Sequence, residues 1–308
     1  MIKLRFDGRT AIVTGAGGNP SMGRSHALLL ASRGANVVVN DIGRSEAPHY
    51  PDVASAEAVV DEIRAAGGQA VASTDSVATE SGAEAIVRTA IDAFGGVDIL
   101  INNAAISVAS PIHEMRSADV QRHIDINLMG PIWLCRAVWP HMRAKGYGRI
   151  VNIGSGAFAG LDRLSIYGAT KGGLFSLTRG IAIEGAPFGI KANVVQPGAF
   201  TRMLLAQHEP SSSMYDYALE NLPAELTSPP VCYLAHELCP VSGESFDAMG
   251  GEVRRVYLAN TGGFADRALT LEMIADHWDE VMGNPVGMVD LSGVNTDAWH
   301  VKPYPGAE

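Results

Sequence analysis

Short apolar runs recur along the chain, each followed by a longer stretch in which apolar residues return at helical spacing. The runs TAIVT (10–14), ANVVVND (35–41), QAVAS (69–73), VDILI (97–101), GRIVNI (148–153) and IKANVV (190–195) predict buried strands. Between them, helices are predicted from Met22 to a C-cap at Gly34, then over about 52–66, 80–94, 117–145 and 165–185. Continuous apolar strands alternating with helices predict an α/β fold, a doubly wound parallel sheet of Rossmann type with helices on both faces. In such a sheet a ligand crevice forms outside the carboxyl ends of the strands, here at the loops after the first, fourth, fifth and sixth.

Beyond about residue 200 the regularity fades. Residues 225–238 read as helical apart from their Pro-Pro start, and 243–251 as a last strand and turn. The polar final stretch contains one clear helix, TLEMIADHWDEVMG (270–283). No internal repeat or low-complexity linker is visible, so we expect one domain over 1–250. Residues 251–308 then form an extension packed on that domain or on a neighbouring subunit.

Composition narrows the function. The chain has 308 residues, 47% of them hydrophobic, enough for a large single core, and 34 glycines suit many tight strand-to-helix turns. A net charge of −10, from 23 Lys and Arg against 33 Asp and Glu, argues against a nucleic-acid partner. No apolar run reaches the roughly 18 residues of a membrane-spanning helix. The N-terminal MIKLRFDGRT lacks the apolar region of a signal peptide, and KPYPGAE at the other end is no peroxisomal address, so a cytoplasmic location is expected. Cys135, Cys232 and Cys239 fit neither a disulfide framework nor metal spacing, and no metal site is expected.

The first strand leads into TGAGGNPSMGR (14–24), a glycine-rich turn opening a helix. This is the setting in which a backbone approaches a dinucleotide pyrophosphate and a helix N-terminus meets its charge. Gly15, Gly17, Gly18 and Gly23 supply the freedom, while Asn19-Pro20-Ser21 pushes the last glycine late. The Ser21 hydroxyl and the amides of Ser21 and Met22 can replace a lost glycine contact. Asp41 closes the second strand, where a carboxylate accepts the adenosine ribose hydroxyls and disfavours a 2′-phosphate, so NAD is expected rather than NADP. Arg24 and Arg44 are cations that could pair such a phosphate instead.

YGATK places Tyr167 and Lys171 four residues apart on one helix face. Ser155 follows the strand GRIVNI, Asn127 sits in the long helical stretch before it, and NNAA (102–105) follows the fourth strand. With the glycine loop and VVQPGAFTRM after the sixth strand, these motifs resemble the short-chain dehydrogenase/reductase superfamily from about residue 5 to 250. The runs VVVNDIG, the TRM after PGAF (201–203), SPPVCYLAHE and SGESFDAMGGEVRRVYLA resemble its (3R)-hydroxyacyl-CoA dehydrogenase branch, found in multifunctional β-oxidation enzymes.

The resemblance implies a catalytic tetrad of Asn127, Ser155, Tyr167 and Lys171. It implies adenine contacts at Asp75 and Ser76, and further cofactor contacts at Gly15, Asn19, Ile42, Asn103, Ala104, Pro197, Gly198 and Thr201, with Tyr167 and Lys171 shared. The sequence departs from the pattern in the loop insertion, in Ala105 and in Gly154. The implied reaction is secondary alcohol to ketone on a bulky apolar small molecule: a hydroxyacyl-CoA, a hydroxysteroid or a cyclic terpene alcohol. A phenol with a pKa of about 10 is a poor base at neutral pH, and the Lys171 ammonium together with the positive oxidised nicotinamide is expected to lower it. Ser155 would hold the substrate oxygen and Asn127 a water reaching Lys171. An enoyl reductase of the same superfamily is the nearest rival, but its Tyr and Lys lie farther apart. A non-catalytic dinucleotide-binding regulator would have no need of both. The helices over 117–145 and 165–185 carry apolar residues on several sides, including Ile132, Trp139, Leu177 and Ile181, so a homodimer or homotetramer is expected.

Overall fold

The computed structural model describes residues 3–43, 55–205 and 212–288. Strands β1 (Thr10–Thr14), β2 (Asn36–Asn40), β3 (Gln69–Ser73), β4 (Ile99–Asn102), β5 (Gly148–Ile153), β6 (Ile190–Gly198), β7 (Ser245–Met249) and β8 (Glu252–Val256) form one sheet. Their order is β3-β2-β1-β4-β5-β6-β7-β8, and the pairs from β3 through β7 are parallel. The order reverses beside β1, between β2 and β4. Connections leaving β1 and β4 diverge there and open a crevice at the carboxyl edge of the sheet.

Neighbouring residues of a strand face opposite sides, and here both sides are covered. Val13, Val37 and Val39 pack with Leu30 of α1 (Met22–Ser32) and Val60 and Ile63 of α2 (Ala56–Ala65). Ile12, Val38 and Leu100 pack with Ile86 of α3 (Glu80–Phe94) and with residues of two longer helices described below. Ile12, Ile99 and Leu100 are wholly buried, each side chain contributing roughly 1.5–3 kcal/mol over an exposed one. Thr79 caps α3 by accepting from Gly82 N, and Gly95 ends it in the left-handed conformation (φ 79°), as local chemistry dictates.

Four elements differ from the expectations of periodicity. The predicted helix over 117–145 is α4 (Ser117–Ile124), a π-helical turn (Asp125–Met129) and α5 (Gly130–Lys145). A π-turn inserts one residue without breaking the apolar spacing, so the pattern runs through it. The Pro-Pro pair lies inside α9 (Ser228–Leu234) rather than before it, because a first-turn proline forfeits no helical hydrogen bond. Residues 270–283 form two short helices, α10 (Leu271–Asp276) and α11 (Trp278–Val281), interrupted at His277. The exposed residues of β8 carry no buried stripe and were not legible as a strand. Between β5 and β7 lie α6 (Ser165–Gly185), α7 (Arg202–Leu205) and α8 (Ser213–Asn221).

By contacts the chain divides into Met1–Arg255 and Val256–Glu308. The described part of the second unit holds α10, α11 and an antiparallel pair, β9 (Ala259–Thr261) with β10 (Pro285–Met288). Among the described residues no helix is long and apolar enough to cross a membrane, and no cluster of His, Cys, Asp or Glu could hold a metal ion. All three cysteines are buried and free.

Candidate active site

Six strand ends meet along the crevice, and the expected site residues follow them. Gly15, Asn19, Ser21 and Met22 follow β1, Asp41 and Ile42 follow β2, Asp75 and Ser76 follow β3, and Asn103 and Ala104 follow β4. Ser155 follows β5, Pro197 and Gly198 end β6, and Thr201 lies just beyond. Tyr167 and Lys171 come from α6 and Asn127 from the π-turn.

The glycine loop is held from beneath by β4. Asn103 Nδ2 donates to Thr14 O (2.8 Å) and Gly15 O (3.0 Å), while Thr14 Oγ1 accepts from the amides of Asn103 and Ala104, both at 3.1 Å. Gly15 has φ +62°, and a methyl there would lie 2.7 Å from Ala104 Cα. Only glycine tolerates both the conformation and the approach. A methyl at Gly23 would lie 2.5 Å from both Asn103 Nδ2 and Gly15 O. The insertion is absorbed by a bend containing the cis Asn19-Pro20 peptide, which leaves Ser21 as the N-cap of α1, its Oγ accepting from Arg24 N. The helix N-terminus thus faces the loop, as an anion site requires.

Asp41 is buried, with Oδ2 accepting from Gly17 N (2.9 Å) and Oδ1 from Gly43 N (3.0 Å). Each oxygen keeps acceptor capacity. Asn40 Nδ2 ties β2 to the next loop through Asp75 O at 2.9 Å, and Ser76 Oγ accepts from Ala78 N. Ile42 is half exposed. Arg24, one of the two cations that could serve a phosphate, is bonded to Glu62 of α2 through Nε and Nη2. Arg44 lies outside the described residues.

Tyr167 and Lys171 are both buried. Lys171 Nζ donates to Ile153 O at 2.7 Å and sits 5.6 Å from the centre of the Tyr167 ring. Burial raises the Tyr167 phenol above its ordinary value, and a hydrogen bond with Ser155 pulls the other way. Burial lowers Lys171 to about 7. Desolvation is the largest influence on both side chains. Ser155 Oγ also accepts from Ala157 N, capping a short 3-10 turn (Gly156–Ala159).

The side chain of Asn127 is wholly buried and doubly engaged. Its Oδ1 accepts from Ile106 N and its Nδ2 donates to Ile106 O, both at 2.8 Å, with Thr170 Oγ1 at 3.4 Å. It pins the loop after β4. One helical turn earlier, buried His123 accepts from Val108 N with Nε2 while Nδ1 donates to Asp119 O, clamping the same loop. Sequence reading missed His123 and Thr14, since neither spacing nor residue type marks a side chain whose task is to hold backbone from another element. It also passed over Arg202, which lies against the glycine loop with Nη1 buried and unpartnered.

At the end of β6, Gln196, Pro197 and Gly198 line a cavity of about 190 Å³ with Gly156, Asp247 and Met249. Thr201 Oγ1 accepts from Leu204 N in α7. The connections after β4, β5 and β6 expose Ile112, Leu161 and, on α8, Met214 and Tyr217. A glycine-lined turn excluding side chains, a helix N-terminus and an unpartnered buried guanidinium together form a donor set that fits a dinucleotide's phosphates.

Comparison with known proteins agrees with this geometry. A family model described as short chain dehydrogenase matches residues 9–211. A short-chain type dehydrogenase/reductase of Mycobacterium tuberculosis is 40% identical over 288 residues, covering 92% of this chain and 95% of its own length. Peroxisomal multifunctional enzyme type 2 of Drosophila melanogaster is 37% identical over 286 residues, but the match spans only 46% of that protein. The structure of that full-length enzyme gives a TM-score of 0.76 at 30% identity, covering 97% of this chain and 50% of the other. The crystal structure of a short chain dehydrogenase from Mycobacterium avium gives a TM-score of 0.77 at 34% identity, covering 92% and 97%.

Proposed function

The chain belongs to the short chain dehydrogenase family, and from that premise we propose that it is an NAD-dependent enzyme interconverting a secondary alcohol and a ketone on a bulky apolar substrate. The observation that carries the reading is Tyr167, hydrogen-bonded to Ser155 at the carboxyl edge of the sheet with Lys171 behind its ring. In the oxidative direction Tyr167 Oη takes the hydroxyl proton of the substrate. Ser155 Oγ donates to the same oxygen as its charge changes. Lys171, with a pKa of about 7, takes or gives a proton at Nζ near neutral pH. Gly15, Gly23, Ser21 and Asp41 would hold the dinucleotide, which when bound supplies the acceptor for the hydride.

An apolar substrate is favoured by the exposed Ile112, Leu161, Met214 and Tyr217 on the connections after β4, β5 and β6. A hydroxyacyl-CoA, a hydroxysteroid and a cyclic terpene alcohol are the three classes to compare. The name of the Drosophila relative makes lipid-derived substrates the first panel. The test is NADH fluorescence on binding, followed by NAD reduction with that panel. Binding without turnover on any secondary alcohol would remove the assignment.

NAD is favoured over NADP because Asp41 presents a buried carboxylate at the end of β2 while Arg24 is held by Glu62. We expect kcat/KM with NAD to exceed that with NADP at least tenfold, which needs only about 1.4 kcal/mol. Steady-state kinetics with both cofactors decide it; parity or a preference for NADP would take the ribose role from Asp41.

A homodimer or homotetramer is favoured by α5 and α6. Leu134, Val138, Leu174, Phe175 and Ile181 are buried within the chain, whereas Ile132, Trp133, Trp139 and Leu177 remain half-buried. Light scattering at micromolar concentration is expected to give twice or four times the chain mass of 32.4 kDa. A monomer would mean that these faces serve only the chain's own core.

A further inference from the structure

We infer that Arg202 is a phosphate clamp: its guanidinium, lying against Gly18 of the glycine loop, binds the pyrophosphate of the dinucleotide. This rests on the dinucleotide reading above and gives a role to a residue of the VVQPGAFTRM run that the sequence analysis left without one.

The space for the guanidinium is provided by the absence of a side chain at Gly18. A methyl there would lie 2.6 Å from Cζ and 2.7 Å from Nε of Arg202, and closer still to Nη2. The two segments are also tied by backbone, Arg202 N donating to Pro20 O at 3.4 Å. Thus the insertion in the loop is the part that Arg202 meets.

Its nitrogens lack the partners that other arginines have. Arg24 is bonded to Glu62, Arg9 to Asp98 and Glu237, and Arg149 to backbone carbonyls. Among the described residues no carboxylate pairs with Arg202, and its Nη1 is buried without any hydrogen-bond acceptor. A buried charged donor with no acceptor is costly, and the cost is relieved only by an acceptor arriving from outside the chain. Beside Arg202 are the glycine loop and the N-terminus of α1, an 11-residue helix whose dipole already favours an anion. The planar fork of a guanidinium matches two phosphate oxygens better than any other side chain does.

The test is equilibrium binding, followed by NADH fluorescence, with ADP-ribose and adenosine as competitors on wild type, Arg202→Ala and Arg202→Lys. Arg202→Ala is expected to weaken NADH and ADP-ribose by about 10- to 100-fold, the range for losing charged hydrogen bonds, and adenosine hardly at all. Arg202→Lys should recover part of the loss, keeping the charge without the fork. The thermal midpoint of Arg202→Ala should match or exceed wild type, since a buried unpaired donor is removed. ADP-ribose weakened no more than adenosine would overturn the clamp. So would a loss confined to NADPH, which would place the guanidinium on a 2′-phosphate. Wild type binding neither NADH nor NADPH would sink the dinucleotide reading itself, and the clamp with it.

Discussion

Tyr167→Phe is expected to lower kcat by about 1,000-fold or more while the affinity for NADH stays within twofold of wild type. The phenol lies beside Ser155, and Phe keeps the ring that packs against Lys171 and His123. What is removed is the atom that moves the proton, and a positioned acid–base group contributes on the order of 100- to 10,000-fold. Burial raises the phenol against an opposing hydrogen bond from Ser155, and burial brings Lys171 down to about 7. The reactive state therefore depends on positive charge brought close to the phenol in the assembled complex. Single-turnover kinetics with a reactive alcohol would check this, and a variant retaining a tenth of wild-type kcat would remove Tyr167 from the proton transfer.

The second large effect is expected at Gly23. In Gly23→Ala the new methyl would lie 2.5 Å from Asn103 Nδ2 and Gly15 O and 2.9 Å from Ala16 Cα. Two of these are backbone atoms, and the third belongs to a side chain held by two backbone carbonyls, so nothing nearby yields cheaply. The first turn of α1 must move away from the loop, separating the helix amides from the anion they would meet. NADH affinity should fall by about 100-fold, a loss of roughly 2.7 kcal/mol, and the thermal midpoint should drop as the Asn103 brace is disturbed. Titration and melting of the purified variant measure both. Affinity within threefold of wild type would show that the turn can absorb a methyl and that the fit is looser than described.

The strand ends that frame the crevice were legible because each strand announces itself over a few residues. Ile12 and Val13 are both apolar since helices cover both faces, and a run of that kind needs no knowledge of its partners. Gly15 was legible for the same reason: a glycine directly after a buried strand and before a helix has a local task. Tyr167 and Lys171 are one helical turn apart, a relation the sequence carries outright.

Other parts were hidden because they depend on residues far apart in the chain. The π-turn at Asp125–Met129 leaves the apolar spacing intact, so periodicity reads straight through it. Its purpose is visible only once Asn127 is seen bonded to Ile106, 21 positions away. Asn103 reads as part of a loop motif, yet its side chain supports the glycine turn 88 positions earlier. The exposed β8 carries no hydrophobic signal, because an edge strand with an open face needs none.

The sequence by itself determined the alternating elements, the parallel sheet, the glycine turn, the carboxylate closing β2 and the Tyr–Lys pair, since each rests on spacing within one element or across one turn. Only the tertiary structure decided which groups serve one another. It tied Arg24 to Glu62 and left Nη1 of Arg202 buried without a hydrogen-bond partner beside Gly18. It spent the amide of Asn127 on backbone and buried Lys171 deeply enough to bring it to about 7. Partner choice and desolvation depend on what the rest of the chain packs around a side chain, and local sequence does not encode that surrounding.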